Sequence, residues 1–179
     1  PPRSTLFPYT TLFRSATTYQ VTQIATGLGI PWGMSFQSQN EILFTERKGR
    51  LGIVNIDSGE VNYLSGLPDI IANGQGGLMD VAKPTNNKIA DWTYFTYVKP
   101  IDAAGNGETT LARAHISKEG IFDWQDLLVT HSLFGVIFDV TGIAWGSDRH
   151  FGSRIAFDDT HLYFSDRKST RLNSSHSEI

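Results

Sequence analysis

Gly77-Leu-Met-Asp-Val-Ala82, followed after a polar stretch by Trp92-Thr-Tyr-Phe-Thr-Tyr97, decides the fold of this 179-residue chain. A glycine opens a short apolar strand, a polar connection follows, and an aromatic-rich strand returns. The same succession stands upstream, where Gly33-Met-Ser-Phe36 leads to Glu41-Ile-Leu-Phe-Thr45. It stands again downstream, where Gly152-Ser-Arg-Ile-Ala-Phe157 leads to His161-Leu-Tyr-Phe-Ser165. After each of the first two units a third and a fourth strand are expected. Leu51–Ile56, Asp57-Ser58-Gly59 and Glu60–Leu64 read as a hairpin, with Gly59 free to take the positive φ of such a turn. Trp92–Val98 and Thr110–Ile116 alternate well around a loop holding Asn106-Gly107, a short-range hairpin signal. No window sustains a 3.6-residue period, so no helix is expected.

Units of four antiparallel strands repeated along a chain are the mark of a β-propeller. The glycines lie 44 and then 75 residues apart. These intervals bracket ordinary blade lengths, the longer absorbing an insertion near Leu133–Asp148. A propeller sets the first strand of every blade against its central channel. Positions two residues ahead of the glycines, Pro31, Gln75 and His150, are therefore expected to converge at one mouth of that channel.

Composition narrows the function classes. The chain has 15 Lys and Arg against 18 Asp and Glu, a net charge of -3, which argues against broad binding to nucleic acid or anionic lipid. No run approaches the roughly 18 apolar residues of a spanning helix. With no cysteine there is no disulfide, thiolate metal site or thiol nucleophile. Both ends read as foreign. Pro1–Ser15 (PPRSTLFPYTTLFRS) and Asp166–His176 (DRKSTRLNSSH) are in-frame translations of the two halves of a high-throughput sequencing adapter. The expected organisation is thus an artefact over 1–15, propeller blades over 16–165 and a second artefact over 166–179. The central part alone carries ten basic and sixteen acidic residues.

His150 is a candidate general base, because imidazole titrates near neutrality. Gln75 sits in Gly74-Gln-Gly-Gly77, where glycines let a ligand approach the backbone and the amide supplies both a donor and an acceptor. The loop lacks the Lys-Ser/Thr of a phosphate loop and the spacing of a dinucleotide fingerprint. Arg154 is expected to make an ion pair inside its blade, and Asp80 to cap backbone groups. Arg47-Lys48-Gly49-Arg50 reads as a solvated turn and His115 as blade surface. Trp92, Tyr94, Phe95 and Tyr97 are expected to pack between blades. No His, Asp and Glu grouping has metal-ligand spacing, and no serine sits in a nucleophile elbow.

Four segments together resemble the soluble PQQ-dependent aldose sugar dehydrogenases, six-bladed propellers related to soluble glucose dehydrogenase. They are Gly29-Ile-Pro-Trp-Gly-Met-Ser-Phe36, Phe44-Thr-Glu-Arg-Lys-Gly-Arg-Leu51, Gly74-Gln-Gly-Gly-Leu-Met-Asp-Val-Ala82 and His150-Phe-Gly-Ser-Arg-Ile-Ala-Phe157. They occur in family order and cover most of Val21–Phe164. The resemblance implies that His150 takes the proton of a sugar's anomeric hydroxyl while hydride passes from the sugar C1 to C5 of PQQ. It implies that Gln75 hydrogen-bonds in the quinone and sugar region, that Ca2+ polarises the quinone, and that an external acceptor removes the electrons. A periplasmic or secreted location follows from the same likeness. The family's histidine-orienting aspartate lies a few residues past the match to Phe164, where the adapter reading begins at Asp166. The basic residues that grip PQQ and the calcium-ligating segment belong to later blades. The chain is therefore expected to be about two and a half blades of six, poorly soluble and inactive alone. A propeller ectodomain that binds a protein or carbohydrate is the alternative, and a calcium-dependent lactonase a more distant one.

Overall fold

The computed structural model describes residues 20–84, 91–103, 105–130 and 152–165, together with the backbone of 174–178. Eleven strands are formed among the described residues. The first sheet runs β1 (Pro31–Phe36), β2 (Glu41–Glu46), β3 (Arg50–Asn55) and β4 (Val61–Leu64), in that spatial order. The second repeats the plan with β5 (Leu78–Ala82), β6 (Thr93–Pro100), β7 (Gly107–Ser117) and β8 (Gly120–Val129). The third orders β9 (Ile155–Phe157), β10 (His161–Ser165) and β11 (Ser174–Glu178) from its inner edge outward. Every pairing is antiparallel. These are two complete four-stranded propeller blades and part of a third.

Successive blades stack face to face, and the period-2 alternation of β6 shows why. Phe95 and Tyr97 point toward the first sheet, into a cluster with Leu43, Leu51, Ile53 and Leu64. Tyr94, one residue out of phase, points the other way and packs with Leu162 and Phe164 of the third sheet. Its ring meets Phe157 edge-on at 5.3 Å. A strand buried on both faces must be apolar at both phases, and β6 is. Each large side chain removed from water in this way contributes about 1.5–3 kcal/mol. Trp92 differs from the sequence expectation in part: it leans on the Tyr94 cluster but stacks on His115 of its own sheet at 3.8 Å.

The three glycine-led strands lie side by side at the inner edges of their sheets. β5 packs between β1 and β9, the radial arrangement the repeat predicts. Inner strands of neighbouring blades share no ladder, so side chains join them. Thr45 accepts the Gly33 N–H at 2.9 Å and donates its hydroxyl proton to the Met79 carbonyl. Gly33 allows this approach, because a Cβ there would lie 2.8 Å from Asp80 Oδ1 and 2.9 Å from Met79 O.

Strand limits differ from expectation in instructive places. Gly59 takes φ 71° as predicted. The β6–β7 connection, however, does not turn on Asn106-Gly107. Gly107 already pairs with Pro100, and the Asp102 carboxylate holds the Asn106 N–H at 3.0 Å. Ser174–Glu178, placed by the sequence reading outside the native blades, aligns with the open edge of β10. Backbone pairing of this kind does not depend on side-chain identity. The expected insertion at Leu133–Asp148 lies outside the described residues.

Gly33→Ala is expected to lower stability by about 1–3 kcal/mol, because β1 must retreat from β5. Urea unfolding reads this as an earlier midpoint, and an unchanged midpoint contradicts the close approach.

Candidate functional site

The sequence places the site at the mouth where the inner strands begin. Gln75 stands there, exposed, on the loop entering β5. Gly76 and Gly77 behind it are buried. Gly77 adopts φ 148°, and a Cβ on it would fall 2.0 Å from the Arg47 carbonyl oxygen, so no other residue fits. The loop closes on itself through the Gly76 N–H, which donates to Asn73 O at 2.8 Å.

The β2–β3 turn holds this loop, and here the sequence reading needs correction. Arg47 is not a solvated turn residue. Its N–H donates to Ile30 O at 2.9 Å, and its carbonyl accepts the Leu78 N–H at 3.0 Å. Its guanidinium Nη1 donates to Gly74 O and, at 3.3 Å, to Gly76 O. The carbonyls before and after Gln75 are therefore held by one side chain. Only the tight Thr-Glu-Arg-Lys-Gly spacing marked this turn in the sequence, and nothing there indicated which chain segment it grips.

Glu46, next to it, was not singled out from the sequence. It is 1% exposed, yet all its bonding capacity is used. Oε1 accepts the Gly29 N–H at 2.7 Å and the Tyr63 hydroxyl at 2.8 Å, while Oε2 accepts Arg50 Nε at 2.6 Å. Burial pushes its pKa upward, but Gly29, Tyr63 and Arg50 together outweigh it and hold the carboxyl below its ordinary value. Arg50 also lies 4.5 Å over the Tyr63 ring. Glu46 thus fixes the chain entering β1.

On the far side of β5, Asp80 caps as predicted: Oδ2 accepts the Ile155 N–H at 2.9 Å. Asp80 Oδ1 meets Arg154 Nη1 at 3.4 Å. The Arg154 pair therefore lies between blades and not inside one, because Arg154 precedes β9 while Asp80 belongs to β5. The ladders are offset: Met34, Val81 and Ile155, opposite Phe44, Phe95 and Phe164, stand one, four and three residues past their opening glycines, so Pro31 is level with Leu78 and not with Gln75 as expected. Ser153 adds two ties: its carbonyl accepts the Thr96 hydroxyl at 2.7 Å, and its Oγ accepts Trp32 Nε1 of β1 at 3.5 Å. Residue 153 thus touches both other blades at the axis. His150 lies outside the described residues, so its meeting with Gln75 is not among the contacts seen. Pro31 begins β1, opposite Glu46. His115 is half-buried, with Nδ1 3.0 Å from Asp91 O, a blade-side contact away from the mouth.

Radial four-stranded blades with glycine-led inner strands define the class, a β-propeller with its candidate site at the axial mouth. The sequence profile of the Glucose / Sorbosone dehydrogenase family matches residues 28–177, and the chain belongs to that family. It is 34% identical over 142 residues to an uncharacterized protein of Synechocystis sp., slr1608, covering 75% of this chain and 31% of that one. It is 28% identical over 148 residues to the aldose sugar dehydrogenase YliI of Escherichia coli, covering 82% of this chain and 37% of the relative. The PQQ-bound aldose sugar dehydrogenase of Streptomyces coelicolor superposes with a TM-score of 0.59 at 22% identity, over 84% of this chain and 42% of that one. The chain thus spans about a third of the length of the curated relatives it matches.

The Glu46 anchor has a pH signature. Its stabilisation is complete above the unfolded carboxyl value of about 4.3, and is lost as pH falls through the lower folded value. Between about pH 5 and 3 the urea midpoint of the unaltered chain should fall more steeply than that of Glu46→Gln. Parallel curves would refute the anchor.

Proposed function

We propose that the complete protein oxidises the anomeric carbon of an aldose to the lactone, and that this chain supplies the mouth residues Gln75 and His150 for the reaction. One observation carries the reading. The segment that follows His150 docks beside the strand that follows Gln75, through the Asp80–Ile155 and Thr96–Ser153 bonds. This adjacency supports an amide and an imidazole facing the same axial opening.

The residues present fit one wall of a PQQ site. A planar tricarboxylate quinone needs bare backbone beside it and donors toward its oxygens, and the glycine loop with the Gln75 amide offers both. PQQ, when bound, supplies the hydride acceptor, with calcium as the Lewis acid beside it. Among the described residues no three His, Asp or Glu side chains group to hold a metal. By the family likeness, calcium is assigned to later blades of the complete protein. His150 takes the proton of the anomeric hydroxyl, and Gln75 orients the sugar by donating and accepting at its oxygens. An external acceptor receives the electrons, and a periplasmic or secreted location accompanies that role.

The apolar side chains on the outer face of the first sheet agree with a larger ring. Met34 and Phe36 are 70% and 66% exposed on the face turned away from the second blade. A neighbouring blade would cover them.

In the complete gene product, supplied with PQQ, calcium and glucose, His150→Ala should reduce dye-linked kcat/KM by about 10²–10⁴-fold. Full activity in that variant removes His150 from the mechanism. The 179-residue chain alone, under the same assay, should reduce no dye. Turnover at a normal rate would show that two blades and a part suffice.

A further inference from the structure

We infer that Arg47 is the positioning residue for Gln75. Gln75 is exposed, and glycines at 74, 76 and 77 leave its loop with little side-chain packing of its own. Such a loop loses much backbone entropy on ordering, so something outside it must fix its conformation. The Arg47 guanidinium reaches the carbonyls of Gly74 and Gly76, one on each side of Gln75. The Gly74–Gln75 peptide is held by Arg47, and the Gln75–Gly76 peptide by the Gly76 N–H on Asn73 O, with Arg47 bracing the next carbonyl; the direction in which the Gln75 side chain leaves the backbone is thereby set. Arg47 itself cannot drift. Its N–H is tied to Ile30 and its carbonyl to Leu78, while the bare Cα of Gly77 leaves just the room its carbonyl and Cγ occupy. The anchor therefore refers Gln75 to the entry of β1, the neighbouring wall of the same mouth. Lysine is a poor substitute: both bonds leave Nη1, whose two N–H groups are fixed in the guanidinium plane, whereas an ammonium on a flexible stem has no such fixed direction. The catalytic consequence rests on the proposed role of Gln75; the anchoring of the loop does not.

Amide hydrogen exchange tests the anchoring directly, on the unaltered chain, Arg47→Ala and Arg47→Lys. The Gly76 N–H, bonded to Asn73 O, should exchange about tenfold faster or more in Arg47→Ala. Phe95 and Leu111 amides in β6 and β7 should keep their protection, and Arg47→Lys should restore only part of the Gly76 protection. Equal Gly76 exchange in all three proteins overturns the inference. Should Arg47→Ala also lose protection in β6 and β7, the lysine variant decides: faster Gly76 exchange supports the inference and unchanged exchange overturns it. In the complete enzyme loaded with PQQ, Arg47→Ala should lower kcat about tenfold with KM within about twofold, and Gln75→Ala should add little on that background. An unchanged kcat beside faster Gly76 exchange would overturn the role of Gln75 while leaving the anchoring in place.

Discussion

The main chain of Arg47 ties two blades together at the level of the mouth. Its N–H reaches back to Ile30, before β1, and its carbonyl receives Leu78, the first residue of β5. One residue at the tip of a hairpin thus sets the height of one inner strand against the next. The requirement for glycine at 77 follows, since any side chain there would occupy the space of that carbonyl. Glu46, one residue earlier, extends the grip to Gly29, so a single turn governs both the entrance to the first blade and the loop of the second.

Polar links of this kind appear because of how propeller blades meet. Within a sheet the backbone groups satisfy one another, but inner strands of neighbouring blades approach without a shared ladder. Buried Thr45, Asp80 and Thr96 fill that role, each with its oxygen on the main chain of the neighbouring blade's inner segment. An apolar residue at Asp80 would leave the Ile155 N–H without its acceptor at the blade junction. Farther from the axis the junction is apolar, with Phe95 and Tyr97 on one face of β6 and Tyr94 on the other.

Much of this was legible in the residues. The glycine-led repeat located the inner strands, and the aromatic run from Tyr94 to Tyr97 announced a strand buried on both sides. The position of Asp80 inside an apolar strand implied a backbone cap. The Asn106-Gly107 pair marked the β6–β7 hairpin, although Gly107 already belongs to β7 and the Asp102 carboxylate holds Asn106 at the end of the loop. Arg154 was assigned to the right kind of contact but the wrong place, since its partner is fixed by blade stacking. Arg47 looked like a solvated cation because charge clusters in tight turns usually are.

By itself, then, the sequence determined which segments are strands, that they recur as units, and that Gln75 opens one of them. Period-2 alternation and glycine placement are local properties, and the chain carries them wherever it folds. Only the tertiary structure decided that the turn at Glu46-Arg47 reaches over to the loop of the next blade and clasps both sides of Gln75. That contact spans some 27 residues of sequence, from Arg47 to Gly74. It exists because two sheets stack at a fixed spacing, a relation that no local pattern encodes.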